Sequence, residues 1–458
     1  MTPTHLTRLA RAACATTLCG VLFACASYSP KPLPGRVAWN RRSQLRVDAR
    51  DIALPALAAQ RIDLNAPLTL PAVAALAVLN DPALRVARDR AGVAGAQAFA
   101  AGLLPDPLFS ASRAIPQGHS GNPTTTAYAL GLALNLGQLV TRGAAVAAAQ
   151  DRLRQVDLQI LWQEWQTAAA AEADDVALVG LRQRDRLLRE QRDAVLERLR
   201  RDRAEQAEGI EPRTTADADL VELLALERRL AVDARQRAAR LAALDALLGL
   251  RPGTPLRLAE QPRFDPAAVR GAAATLDRLG AIRPDLMALR AGYASQEQRL
   301  RQAVLSQFPS IAVGISRARD TSDVNTVGFG ITFNLPLLNG SRGAIAVQRA
   351  TRRALYDDYA LRLKQSRAEV ERILGDIGLL RRQQAALEDA LPALRNAARA
   401  ADAALREGDI TLPQAQSQRR ALLDQRLAVQ RGVQQLAEQT VALQLLTGRG
   451  VFAQAARR

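Results

Sequence analysis

The triplets Phe333–Leu335 (Phe-Asn-Leu) and Arg342–Ala344 (Arg-Gly-Ala) determine how this chain is interpreted, because each has a near copy earlier in the sequence. The copies are Leu134–Leu136 and Arg142–Ala144, displaced by about 200 residues, which is too long for the unit of a solenoid. Further pairs at nearly the same displacement are Pro82 and Pro284, Pro107 and Pro309, Gly209 and Gly408, and Gly249 and Gly448. The sequence therefore predicts two copies of one complete structural half.

Each half contains runs in which apolar residues alternate with small or polar ones. In the second half, Phe329, Ile331 and Phe333 stand at alternate positions of the run Val327–Leu335, and the first half has its counterpart at Tyr128–Leu136. Shorter runs precede them around Phe109–Ala111 and Ile311–Ile315. Period-two alternation predicts strands with one apolar face, and about ten residues is the length of a tilted strand crossing a bilayer.

Four strands cannot close a barrel alone, and an open sheet edge in lipid would leave backbone groups unpaired. Either helices cover the sheet, or several chains complete it together. A layer of a soluble β-sandwich is the alternative, but the runs are few and long helical segments separate them.

Long helical segments follow each strand pair, with few helix breakers over residues 143–206 and 343–406. Each is expected to return through a second helix, at 213–248 and at 412–446, and an earlier helix is predicted over 68–104. A seven-residue seam of Ile373, Leu380, Leu387 and Leu394 predicts coiled-coil packing. Pro392 lies inside this seam and is expected to kink or break the helix.

The N-terminus has the pattern of a bacterial lipoprotein signal. Arg8 and Arg11 precede a short apolar stretch that ends in Leu22-Phe23-Ala24-Cys25. We predict a signal peptide over 1–24, lipidation (palmitate) at Cys25, an extended segment over 25–65, and the two repeats at 66–250 and 270–450. An ordinary signal peptide with an incidental cysteine is the alternative.

The formal net charge of +17 raises the hypothesis of nucleic-acid binding. Basic residues alternate with acidic ones along the helical segments, however, and aromatic residues make up only 3% of the chain. Solvated helix faces explain this pattern better, so no nucleic-acid partner is predicted. The sequence contains no phosphate loop, zinc motif or nucleophile elbow, which predicts no enzyme, no cofactor and no metal site.

Together, the repeat and its motifs resemble the TolC-like outer membrane efflux proteins over about 66–450. The residues that carry the resemblance are Gly102–Pro107 and Phe308–Ser310 before strands, Phe329–Gly340 between strand and helix, and Ala207–Ile210 and Arg406–Asp409 at hairpin tips. The resemblance implies a mainly α, internally duplicated fold with long coiled-coil-like helical hairpins and a small transmembrane β part. Each chain would give four strands to a trimeric 12-stranded barrel in the outer membrane, with a large periplasmic part.

The resemblance also implies partners and sites. The hairpin tips would contact a periplasmic adaptor (membrane fusion) protein bound to an inner-membrane pump of the resistance-nodulation-division type. The tip residues are Glu208, Gly209, Ile210, Glu407, Gly408 and Asp409. Acidic residues narrow the pore in such proteins just beyond the second tip, but here Gln414 and Ser417 stand at the matching positions, which places a carboxylate ring in question.

The predicted function is a passive trimeric duct for small molecules, either drugs or heavy-metal ions. Two alternatives stay open: a related duct for protein secretion, and a periplasmic coiled-coil lipoprotein without a pore. Strands of bilayer length with an apolar face favour the ducts, because a structural or adaptor lipoprotein has no use for them.

Overall fold

The computed structural model describes residues 28–117, 124–208, 213–260, 269–336 and 338–452. The chain divides into two compact units, Met1–Trp39 and Asn40–Arg458. The described part of the first unit contains no helix or strand, and its residues are exposed. The second unit contains all the helices and strands described below.

The long helices form two hairpins, one in each half. Helices of ten residues or more are numbered along the chain: α1 (Leu70–Asn80), α2 (Pro82–Gly102), α3 (Gly137–Ala207), α4 (Arg213–Leu247), α5 (Pro284–Leu305), α6 (Arg342–Glu407) and α7 (Leu412–Thr447). The predicted helices at 143–206 and 343–406 are confirmed as α3, of 71 residues, and α6, of 66 residues. At ~1.5 Å per residue each is on the order of 100 Å long. Both return through the predicted partners, α4 and α7.

The predicted seam on α6 is confirmed in part. Ile373 and Ile377 are buried in a cluster with Leu443 of α7, whereas Leu380 is half-buried. The predicted break at Pro392 is wrong, because α6 continues without interruption through this residue. A proline removes one backbone hydrogen bond, and the remaining bonds of a long helix packed along α7 hold the conformation.

The single helix predicted over 68–104 is also wrong, because α1 and α2 are separate and bent by 49°. Asp81, between them, has an extended conformation and its carboxylate accepts a hydrogen bond from the N–H of Ala83 at 2.8 Å. Pro82 disfavours a helical conformation for the residue before it, and Asp81 then caps α2. Among the described helices, none is by itself long and apolar enough to cross a membrane, although α1 and α2 satisfy that test together as a bent pair.

The strands form one antiparallel sheet in the order β1 (Leu108–Ala114), β2 (Ala127–Asn135), β3 (Ser310–Arg319) and β4 (Asn325–Asn334). The pairing of β2 with β3 joins the two halves of the chain. Within the described residues, β1 and β4 are the edges of the sheet, and no further strand pairs with either.

Apart from Leu108 at the start of β1, which lies opposite Ala133, the register places the large apolar residues of all four strands on one face. Leu132 lies opposite both Phe109 and Ile315, and Ile315 lies opposite Phe329. The other face carries small or polar residues, namely Ser110, Ser112, Ala129, Gly131, Ala133, Ala312, Gly314, Ser316, Ala318, Gly328, Gly330 and Thr332. The predicted alternation is therefore confirmed, and it is continuous across both halves.

The segment predicted as extended, 25–65, packs against the helices from Asn40 onward. It forms short helical turns at Arg42–Gln44, Ala49–Asp51 and Pro55–Ala58. Leu54 and Leu57 are fully buried in one cluster with Trp165 and Phe452, whose rings are 5.1 Å apart. The isolated leucines of this segment lack a helical period, so the sequence did not indicate their burial.

Candidate functional site

The turn between α6 and α7 contains the predicted tip glycine. Gly408 has a φ of 81° and a ψ of 6°, in the left-handed region that glycine adopts without strain. Its N–H donates to Leu405 at 3.3 Å, and the N–H of Asp409 donates to Ala404 at 2.9 Å. These bonds satisfy carbonyl groups that would otherwise be unpaired at the helix end, so Gly408 terminates α6 in the way the sequence predicted.

Three of the other predicted tip residues lie in the described part of the chain, and all three are exposed. Glu407 and Asp409 are exposed beside Gly408, and Glu208 is exposed at the end of α3. Gly209 and Ile210 lie outside the described residues, as does the lipidation candidate Cys25. Contact with an adaptor protein and lipidation both stay predictions.

The two pore candidates are exposed, and one of them has a structural role. Gln414 forms a capping box with Thr411 at the start of α7. Its side-chain oxygen accepts hydrogen bonds from the N–H of Thr411 at 2.8 Å and from the Thr411 hydroxyl at 3.0 Å. Ser417 lies one turn further along α7 and has no such role. Neither residue is ionisable, so no carboxylate stands at these positions.

A buried polar network near the tips connects three helices and was not predicted. Asp219 and Glu222 of α4 are almost completely buried and face Arg198 of α3, at 3.3 and 3.4 Å. Arg420 of α7 lies 3.5 Å from Glu222, and the amide of Gln416 donates to Asp219. The network therefore couples the hairpin of the first half to the return helix of the second.

The sequence contained a signal for this network. Asp219 precedes Leu223, Leu226 and Leu230 at helical spacing, and these leucines pack in the cluster between the hairpins. A carboxylate at the start of an apolar helical stripe indicates a buried polar partner.

Two further carboxylates are buried in the middle of α3, one turn apart. Burial, together with the neighbouring charge of Asp175, raises the pKa of Glu172 to about 8. Burial also raises the pKa of Asp175 to about 7, against the opposing charge of Arg182. Within the described residues, Oε2 of Glu172 and Oδ1 of Asp175 have no hydrogen-bond partner. Glu172 therefore favours the protonated form near neutral pH, whereas Asp175 is divided between the protonated and the ionised form.

Metal and cofactor sites were not expected. In the parts of the chain that the structure describes, no three metal-binding side chains come together. His119, the only histidine after the predicted signal peptide, lies outside the described residues.

One family model matches the second half of the chain. Residues 275–449, which include α5, β3, β4, α6 and α7, match the family described as outer membrane efflux protein. No curated protein matches the chain.

Solved structures with the same fold include three outer membrane proteins. CusC has a TM-score of 0.69 at 14% identity, with 86% of this chain and 96% of CusC covered. VceC of Vibrio cholerae has a TM-score of 0.69 at 18% identity, with 83% and 96% covered. CmeC of Campylobacter jejuni, described as an outer membrane channel, has a TM-score of 0.69 at 15% identity, with 94% and 98% covered.

Identities this low establish the fold, and they do so over both halves of the chain. The predicted resemblance is confirmed: residues 275–449 match the outer membrane efflux protein family, and the chain as a whole has the fold of CusC, VceC and CmeC.

Proposed function

We propose that this protein is the outer membrane channel of a tripartite efflux system, a passive trimeric duct that exports small molecules, drugs or heavy-metal ions. One observation carries the proposal. A four-stranded sheet with a continuous apolar face, whose two edges pair with no other strand in the described residues, is attached to helical hairpins on the order of 100 Å long.

The unpaired edges support the trimer. Backbone groups on β1 and β4 would have no partner in lipid, and only closure of the sheet removes both edges. Three chains with four strands each give a barrel of 12 strands, within the known range for such barrels. The apolar residues then face lipid, and the face with Gly131, Gly314 and Thr332 lines the lumen.

The lumen face supports a passive duct. Over the four strands this face has no charged residue, and apart from Leu108 at the start of β1 its side chains are small or polar. Such a wall would leave the lumen wide and would not select strongly among transported molecules by their charge. The outer membrane efflux proteins are a family of channels and not of enzymes, and we propose that this chain has no catalytic activity.

The helical hairpins support a periplasmic extension of the duct. The tips, at Glu208–Ile210 and Glu407–Asp409, would contact a periplasmic adaptor protein bound to an inner-membrane pump of the resistance-nodulation-division type. Gln414 and Ser417 are the candidates for the narrowest part of the pore. Cys25, after a signal peptide over 1–24, would add a lipid anchor. The segment 25–65 would precede the repeats at 66–250 and 270–450.

A cysteine scan across the proposed junction between chains tests the trimer. The chain has three cysteines, at positions 14, 19 and 25, so Cys14→Ser/Cys19→Ser/Cys25→Ser provides a cysteine-free background whether or not the signal peptide is removed. Ser112→Cys in β1 is combined in turn with cysteines at Thr326, Gly328, Gly330 and Thr332 of β4. We expect at least one pair to yield disulfide-linked trimers in outer membranes.

Ala129→Cys is the matched control, because it lies on the same face of the sheet but in the interior strand β2. It should give no linkage between chains with the same β4 cysteines. If every pair with Ser112→Cys leaves monomers in a fraction that contains the protein, the shared barrel is wrong. A periplasmic coiled-coil lipoprotein would then be the better explanation.

A further inference from the structure

The apolar face of the sheet ends in a group of basic residues, which we call the arginine rim: Arg113, Arg317 and Arg319. The register fixes their arrangement. Arg113 lies opposite Tyr128, Tyr128 lies opposite Arg319, and Arg317 lies in the adjacent row, opposite Leu130. All three arginines project from the apolar face, and they are its only charged residues within the four strands.

Two of the three charges are not compensated. Arg113 and Arg317 are exposed, and among the described residues neither makes an ion pair or a side-chain hydrogen bond. Arg319 is engaged, since it donates to the hydroxyl of Thr125 at 2.5 Å and lies 2.9 Å from Asp323.

The acidic residues of the neighbouring turn form no ion pair with Arg113 or Arg317. The carboxylate of Asp323 is paired with Arg319. The carboxylate of Asp320 accepts hydrogen bonds from the N–H groups of Ser322, at 2.8 Å, and Val324, at 3.0 Å. Both carboxylates thus interact with residues of their own hairpin. The guanidinium groups of Arg113 and Arg317 are therefore free to bind an anionic ligand.

The position along the strands places the rim at a membrane surface. From Phe333 to Val327 the apolar face covers six residue steps of β4, or about 20 Å along the strand. The arginines follow at the end of the sheet that is opposite to α3 and α6. Tyr128, whose hydroxyl lies 3.4 Å from Asn325, stands at the same level. Tyrosine prefers the boundary between hydrocarbon and headgroups, where one end of the ring is apolar and the other is wet.

We propose that Arg113 and Arg317 bind phosphate groups of a phosphorylated glycolipid in the outer leaflet, with Tyr128 and Arg319 in the same row as Arg113. The proposal rests on the proposed function, because it requires the apolar face to be in lipid with the loops outside. Guanidinium groups form paired, charge-assisted hydrogen bonds with phosphate oxygens. Uncompensated arginines at the level of the headgroups therefore favour an anionic lipid over a neutral one.

Lipid binding to the purified full-length protein in detergent tests the proposal. The probes are lipid A with both phosphates, the same lipid with its phosphates removed, and inorganic phosphate. Native mass spectrometry counts the lipids retained on each trimer. The double variant Arg113→Gln/Arg317→Gln should retain phosphorylated lipid A at least about tenfold more weakly than the wild type. The dephosphorylated lipid should bind both proteins equally and weakly.

The control is Arg349→Gln/Arg353→Gln, which removes the same charge from exposed positions on α6 and should bind lipid as the wild type does. Equal retention by the rim variant and the wild type would overturn the proposal, as would equal retention of the two lipids. Binding of inorganic phosphate as tight as that of lipid A would identify a site for free anions instead. Trimers are also assayed in the outer membranes from which the protein is purified. Their absence in the wild type rejects the proposed function, whereas their presence together with equal lipid retention by the rim variant and the wild type rejects only the lipid site.

Discussion

Gly408 has a left-handed conformation that few other residues adopt. The space around it is open, since a Cβ atom would meet no atom within 4 Å. A larger residue at this position would therefore be destabilised by the backbone conformation and not by a steric clash. This destabilisation is largest for β-branched side chains.

We predict that Gly408→Val leaves trimers in the outer membrane but abolishes efflux-dependent resistance. The substitution costs roughly 1–2 kcal/mol at the turn, which displaces the tip without unfolding two long helices. Crosslinks from a photoreactive group at Asp409 to the adaptor should disappear. Gly408→Asn is the control, because asparagine tolerates the left-handed region and should retain resistance. If Asp409 crosslinks only within the trimer while export continues, the adaptor contacts another surface.

Glu172 and Asp175 give the stability of the fold a dependence on pH. Their pKa values, about 8 and about 7 in the folded chain, lie above the ordinary values of 4.5 and 3.8. The folded state therefore holds more protons than the unfolded state between these limits, and stability falls as pH rises through that range. Each group contributes at most ~1.4 kcal/mol per pH unit.

We predict that Glu172→Gln removes part of this dependence. The melting temperature of the wild type should fall between pH 5 and pH 8 by more than that of the variant, because a neutral amide has no proton to lose. The two proteins should differ most at the alkaline end. Glu190→Gln, at a position where the carboxylate is 68% exposed, is the control and should follow the wild type. Parallel pH profiles for the wild type and Glu172→Gln would show that the buried carboxyl group does not titrate in this range.

At the scale of elements, the two faces of the sheet differ in what they tolerate. Ile331 and Thr332 are neighbours on β4 that project from opposite faces. We predict that Ile331→Arg reduces the amount of outer-membrane trimer, because a charge on the lipid face at mid-bilayer depth costs ~2–4 kcal/mol.

Thr332→Arg should assemble better, since its side chain would enter the lumen. The amounts of trimer in isolated outer membranes, compared by gels without heat denaturation, measure the difference. Equal assembly of both variants would mean that the faces are assigned the wrong way or that neither meets lipid.

The helices and strands could be predicted where one local sequence pattern extends over many residues. Alternation located all four strands, and uninterrupted helix-forming residues located α3 and α6 within a few positions. The errors occurred where the effect of one residue had to be weighed against that of its surroundings. Asp81 separates α1 from α2 because it caps the second helix next to a proline, whereas Pro392 does not break α6 because the packing along α7 persists on both sides.

The candidate site was less predictable than the fold. The conformation of Gly408 followed from its place between two helical patterns. The coupling of Asp219 to Arg198 and Gln416 did not, because it joins residues that are distant in sequence. A carboxylate at the start of an apolar helical stripe indicates that a buried polar partner exists, but it does not identify that partner.

At the scale of the whole molecule, two anchors are expected to hold the protein in the membrane. We predict that the wild type incorporates labelled palmitate and that Cys25→Ser does not. Equal labelling of both would exclude a lipid on this cysteine. The variant should still assemble in part, because the proposed barrel anchors itself through its apolar face. Complete loss of trimers from the outer membrane in the variant would instead show that the lipid is required for assembly.

The pairing of β2 with β3 has a consequence for symmetry. Each half supplies a first strand and a second strand, and β2 with β3 joins the second strand of one half to the first strand of the next. In the proposed trimer, β4 of one chain meets β1 of its neighbour, which is again a second strand beside a first. The ring would then have six junctions of a single kind, three inside chains and three between them. The contact that joins the halves of one chain is thus also the template for assembly, and a protein of half this length could form the same ring as a hexamer.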